Sequence, residues 1–219
     1  MFDNCTSLGF FCGTACSLSK LGLRSFSGPF DWYFSNNYSA VVSLVENRFS
    51  DFLKREHLEP CEDLQQFRDL EHDFYYLHDN DDREPFDVAY PKIYEKYQRR
   101  ITTFLNAIEK PTCLFRTIGS DNEIDYINQN YEYIDNVFKS FNVNNEVVYI
   151  LFNDLKELDE HCHQYILPVS NRPDREETMR VMFDSSDELL SYCSSLLSPE
   201  RMNANLQYDM ETKSYWWIS

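Results

Sequence analysis

Apolar and polar positions along the chain follow two periods. Apolar residues three and four apart mark helices after Ala15 (Ala15, Leu18, Leu21), over residues 36–52 and, most clearly, over residues 90–108, where Ile93, Tyr97, Ile101, Phe104, Leu105 and Ile108 share a face. Residues 122–141 and 186–197 carry the same spacing, and residues 154–163 read as a short helix. Between these lie runs of β-branched and aromatic residues at 2–8, 112–118, 147–152 and 164–169, which read as strands, and a short aromatic run at 70–76. Residues 56–66 are polar and irregular, and the charged run 79–84 ends at Pro85 as a loop.

Strands alternating with helices predict an α/β fold with a predominantly parallel sheet and helices on both faces, three layers in all. Residues 36–110 could form a mainly helical insertion. No linker or internal repeat divides the chain, so residues 1–219 are expected to form a single domain. The apolar run Tyr215-Trp216-Trp217-Ile218 is expected to dock on the core.

Composition narrows the partners. With 20 basic against 37 acidic residues the net charge is −17, which disfavours nucleic acid and anionic membrane surfaces. No apolar run approaches a membrane span, and no basic-then-apolar leader opens the chain. Seven cysteines without a framework spacing suit reduced thiols, hence a cytoplasmic setting. The 17 Phe, 15 Tyr and 3 Trp support an ordered core.

Candidate chemistry gathers between Thr6 and Trp32. Gly9 offers a sharp turn after the first strand, Cys12 follows at a strand-to-helix junction, and Gly22 with Lys20 marks the helix end. A cysteine at a helix N-terminus loses its proton more easily, and N–H groups around Gly13 and Thr14 could stabilise an oxyanion. Thr14 is also an acceptable N-cap, and on these residues alone Cys12 reads first as a small buried apolar residue.

A thiol nucleophile needs a base and an orienting group. Among the five histidines, His72 in its aromatic run beside Asp73 is the best placed; His57 and His78 lie in polar stretches, and His161 and His163 flank Cys162 late in the chain. Asp31 could orient a base or cap the turn after Pro29. His161, Cys162 and His163, with Cys193, lack a second ligand pair at a recognised spacing, so no metal is expected. Arg24, Arg99, Arg100 and Arg116 suggest an anionic ligand. Arg116 ends a strand just before Ser120 at a helix start, although an ion pair with a carboxylate explains it as well. Neither a Gly-x-Gly-x-x-Gly nor a Walker loop is present, and no cofactor is expected.

The ordered set Ser7-Leu8-Gly9-x-x-Cys12-x-x-Ala15, Leu21-Gly22-Leu23-Arg24 and Pro29-Phe30-Asp31-Trp32 resembles a family described as putative papain-like cysteine peptidases. His72-Asp73-Phe74, Tyr97-x-Arg99-Arg100 and Leu114-Phe115-Arg116 extend the resemblance to about residue 155. It implies Cys12 as nucleophile and His72 as base, with Asp31 or Asp73 orienting, in a cysteine hydrolase or acyltransferase acting on a small-molecule, glycan or peptide substrate. The alternating second half is closer to esterases and acyltransferases of sugars than to a papain-like sheet. Against those families the spacing Gly9-x-x-Cys12 is one residue longer than a Gly-x-Cys turn. The alternative is a non-catalytic, sugar-phosphate-binding protein of surface-polysaccharide metabolism using Arg24, Arg99 and Arg116.

Overall fold

The computed structural model describes residues 2–63, 65–77, 79, 80, 82–171, 179 and 181–196. The apolar run at residues 215–218 and His78 lie outside the described residues. Strands β1 (Asn4–Ser7), β6 (Thr112–Thr117), β7 (Glu146–Phe152) and β8 (Gln164–Leu167) form a parallel sheet in that order. Its register places Cys5 beside Cys113, Leu114 beside Val147 and Ile150 beside Tyr165. Every residue of β6 is buried, as expected for a strand covered on both faces.

The two faces have different partners. Cys113, Phe115, Val148, Ile150 and Phe152 pack on one side with Leu18 and Leu23, from and just after α1 (Cys12–Lys20), and with Met182, Phe183 and, from α5 (Asp187–Leu196), Leu189 and Cys193. Leu114, Tyr149 and Leu151 point the other way, into a larger core built by α2 (Tyr38–Glu46), α3 (Phe86–Ile108) and α4 (Asp121–Lys139).

That second core also contains an antiparallel sheet, ordered β2 (Tyr33–Phe34), β5 (Phe74–Tyr76), β4 (Phe67–Asp69), β3 (Leu58–Pro60). Among the described residues the fold is α/β, with the expected parallel sheet and an antiparallel sheet of four strands each, so a predominantly parallel fold is met only in part. The insertion at 36–110 is likewise not mainly helical, since all of that second sheet except β2 lies within it, between α2 and α3. Its strands are two or three residues long, too short to show an alternating pattern. Cross-strand aromatic pairs stabilise them instead: Phe67 stacks on Tyr76 at 4.4 Å and Tyr33 on Phe74 at 4.3 Å.

Two further boundaries move for local reasons. The helix expected over residues 36–52 stops at Glu46, because Arg48 and Phe49 adopt φ of +54° and +61°, and Phe49 and Phe52 reach the core from a loop. The aromatic run at 70–76 begins as a turn, with Asp73 at φ +56°, and becomes strand only at Phe74. Residues 154–163 form turns and irregular backbone rather than a short helix.

Arg116, at the end of β6, is completely buried. Its guanidinium pairs with Glu123 of α4 and donates to Leu8 O at 3.0 Å, Ser35 O at 3.1 Å and the Tyr33 hydroxyl at 3.4 Å, while lying 5.0 Å from the Tyr38 ring centre. Burial works against the charge, but Glu123 together with Tyr33 and Tyr38 more than offsets it, and the Arg116 pKa stands above its ordinary value. Glu123→Ala removes the counter-ion of a buried cation and should lower stability by about 3–5 kcal/mol in urea denaturation. The double change Arg116→Met, Glu123→Leu should recover part of that loss; a single mutant as stable as the parent would contradict the assignment.

Candidate active site

The first crossover marks the place where open α/β sheets bind ligands. β1 and β6 are neighbours, but α1, which follows β1, packs on one face and α4, which follows β6, on the other. Chains that leave adjacent parallel strands toward opposite faces part at the strands' carboxyl ends. Cys12 is the first residue of α1 and Ser120 the N-cap of α4, so both follow the carboxyl ends of β1 and β6.

The turn that delivers Cys12 is unusual backbone. Gly9 has φ +80° and Phe10, with a side chain, has φ +88°. Gly9 has no alternative, because a Cβ there would stand 2.7 Å from the Tyr33 ring and 2.8 Å from Phe30 O. Phe10 is held by its ring, which packs where a Cβ on Gly119 would fall (2.1 Å) and lies 5.3 Å from Phe34. Ser7 Oγ accepts the Gly9 N–H at 2.9 Å, and Ser35 N–H donates to Phe10 O at 2.9 Å.

Phe11 precedes the helix in extended conformation and offers no side-chain cap, and no carboxylate stands in the first turn of α1. The first turn therefore adds no negative charge of its own to the positive end of the helix. Thr14 is buried in the first turn rather than capping it, and its hydroxyl meets that of Thr117 at 2.7 Å, fixing α1 to β6. Cys12 is partly buried; its Sγ lies 3.2 Å from Met179 Sδ, and Ser17 Oγ donates to Met179 O at 2.9 Å.

His72 sits in the turn between β4 and β5. Its Nδ1 meets Asp69 Oδ2 at 2.8 Å, and Asp69 Oδ1 accepts the backbone N–H of Glu71 and His72 at 3.0 and 3.2 Å. Asp69 is fully buried, so one carboxylate both shapes the turn and fixes the imidazole. The ring packs against Phe52 and Phe74. None of its described contacts reaches Cys12, but its backbone is tied to the Cys12 loop. Asn37 Nδ2 donates to His72 O at 3.0 Å, Asn37 N–H donates to Ser35 Oγ at 2.9 Å, and Ser35 N–H donates to Phe10 O.

The other candidates are dispersed. Asp31 Oδ2 receives Arg24 Nε and Nη2 at 3.0 and 2.6 Å and Gly28 N–H at 2.8 Å, which closes the loop after α1 as a turn lock. Asp73 meets Arg68 at 2.6 Å on the surface. Arg99 pairs with Glu95 along an exposed helix face, and Arg100 lies 3.8 Å from Asp79. Ser120 Oγ is buried without a hydrogen-bond partner among the described residues. His163 pairs with Glu146, and His161 packs on Tyr131; among the described residues no three His, Cys, Asp or Glu are placed to hold a metal. Sequence reasoning missed Asp69 and Met179. Asp69-Leu70-Glu71-His72 does have the pattern of an Asx turn, the one signal that could have found the first of them.

No disulfide joins any of the seven cysteines. Burial pushes the Cys162 and Cys193 thiols up to about 11 and about 12. Cys113 is also raised, by burial and then by hydrogen bonding to Cys5. Cys12, Cys16 and Cys61 are only partly buried.

A model of the family described as "putative papain-like cysteine peptidase" matches residues 3–154. The uncharacterized protein R408 of Acanthamoeba polyphaga mimivirus is 43% identical over 53 residues, 24% of this chain and 24% of that protein. No solved structure matches the chain. No helix among the described residues is long and apolar enough to cross a membrane.

Iodoacetamide at pH 8, read residue by residue by mass spectrometry, should label Cys12, Cys16 and Cys61 and spare Cys5, Cys113, Cys162 and Cys193 in the folded protein. The buried thiols also set a pH limit. Because folding raises their pKa above the unfolded value of about 8.5, their contribution is complete below that pH. It is lost as pH climbs toward 11–12, where Cys162 and Cys193 ionise in the fold. Stability measured from pH 8 to 11 should fall, and less steeply in Cys162→Ala, Cys193→Ala.

Proposed function

Because the chain belongs to the family described as putative papain-like cysteine peptidases, we propose that it is a cysteine-dependent hydrolase or acyltransferase with Cys12 as nucleophile. The observation that carries this reading is the seat of Cys12, at the N-terminus of α1 on a strained turn after the carboxyl end of β1. The thiolate would attack an acyl carbonyl, forming a thioester as the leaving group departs with a proton. Water or an acceptor hydroxyl or amine would then release the acyl group and restore the thiol. The Gly13 and Thr14 N–H groups at the helix start suit the oxyanion of each tetrahedral intermediate.

His72 is assigned the proton transfer, with Asp69 rather than Asp31 or Asp73 as its orienting carboxylate, since Asp69 holds Nδ1 and the other two hold arginines. The bonds through Asn37 and Ser35 that fasten its loop to Phe10 support the pairing with Cys12. Ser120, the N-cap of α4, is the candidate ligand residue. The sugar-phosphate alternative has less support, because Arg24 and Arg116 are held by Asp31 and Glu123 and Arg99 by Glu95.

A panel of nitrophenyl esters, thioesters and peptide amides, with mass spectrometry of the acyl-enzyme, tests the assignment. Cys12→Ala should abolish turnover and the acyl adduct. His72→Asn should lower kcat by about 10²–10⁴ and remove the acid limb of the pH profile, and Asp69→Asn should do so less strongly. Turnover by Cys12→Ala at the parent rate would overturn the proposal.

A further inference from the structure

The amino end of the parallel sheet, opposite Cys12, holds a concavity. A cleft of about 350 Å³ opens where the second half of α4 passes the starts of β7 and β8. That volume lies at the small end of the range for ligand pockets. Its floor is apolar, from Ile134, Val147 and Tyr149, of which Ile134 and Tyr149 are buried. Tyr131 and His161 form one wall, with ring centres 4.2 Å apart.

The charges on the rim come as two opposed sets. On the α4 side Lys139 Nζ meets Asp135 Oδ2 at 2.7 Å. On the strand side Glu146 meets His163, whose other ring nitrogen lies 3.1 Å from the Tyr165 hydroxyl. An anion alone would face two carboxylates, and a cation alone would meet Lys139. A molecule with both charges on adjacent carbons can place its ammonium toward Glu146 and its carboxylate toward Lys139. The apolar floor and the Tyr131 ring remain for its side chain.

We propose that this cleft binds a small zwitterion, a free α-amino acid with an apolar or aromatic side chain. The ammonium displaces His163 as the partner of Glu146, and the carboxylate displaces Asp135 as the partner of Lys139. Glu146 and Lys139 each exchange one counter-ion for another, and Asp135 and His163, which are partly exposed, turn to water. The site lies at the other end of the strands from Cys12 and does not depend on the chemistry proposed there.

Isothermal calorimetry and thermal shift on the full chain test it, with L-phenylalanine as probe and 2-phenylethylamine and 3-phenylpropionate as analogues lacking one charge. L-Phenylalanine should bind saturably and raise Tm. Each analogue should bind at least about tenfold more weakly, as should L-phenylalanine to Glu146→Gln and to Lys139→Met. Cys12→Ala should bind like the parent. No saturable binding of L-phenylalanine, an analogue that binds as well, or binding unchanged in both rim variants would each overturn the proposal.

Discussion

The interaction on which the rest of this structure depends is the buried guanidinium of Arg116. It reaches the carbonyl of Leu8 after β1, the carbonyl of Ser35 after β2 and the carboxylate of Glu123 in α4, so one side chain joins three segments far apart in sequence. Glu123 also accepts the Gly119 N–H at 2.8 Å, which sets the turn between β6 and α4. A buried ion pair is weak evidence for stability, because desolvation offsets much of the attraction. What this one supplies is position. It holds the loops after β1 and β2 at fixed height above the strands, and the burial of Tyr33 and Tyr38 around it keeps water out.

That fixed position makes the backbone leading to Cys12 tolerable. A phenylalanine at φ +88° costs of order 1–3 kcal/mol and persists only where its surroundings over-determine it. Here they do. The Phe10 ring fills the space that a Cβ on Gly119 would need, and the Phe10 carbonyl is bound by Ser35. The strain at Phe10, the glycine at 119 and the guanidinium at 116 are parts of one arrangement. Its product is a thiol placed at a helix N-terminus that has no side-chain cap from Phe11.

The extent to which this was legible in the sequence follows from element length. β6, buried at all six residues, and β7, buried from Val148 to Phe152, announce themselves, as does the 23-residue α3. The antiparallel sheet does not, because strands of two or three residues carry no period and depend on aromatic stacking between distant positions. At the site, Gly9 and Cys12 were readable because a turn and a helix start have local signatures. Asp69 was harder to find, since its Asx-turn pattern names a turn but not the imidazole that the turn brings to it. Arg116 shows the ambiguity most plainly: an arginine at a strand end beside a helix start suits a ligand and an ion pair equally, and only the placement of Glu123 separates the two.

Electrostatics bears on what could approach Cys12. The chain carries a net charge of −17, and Arg24, Arg55, Arg68, Arg99 and Arg116 each meet a carboxylate of their own. An anionic acyl donor would be repelled at long range and would find these guanidinium groups already engaged. The helix N-terminus at Cys12 is a short-range attraction that fades within a turn, suited to an oxyanion formed in place rather than to capturing a charged substrate from solution. If Cys12 acts as proposed, the charge distribution favours a neutral or cationic acyl donor.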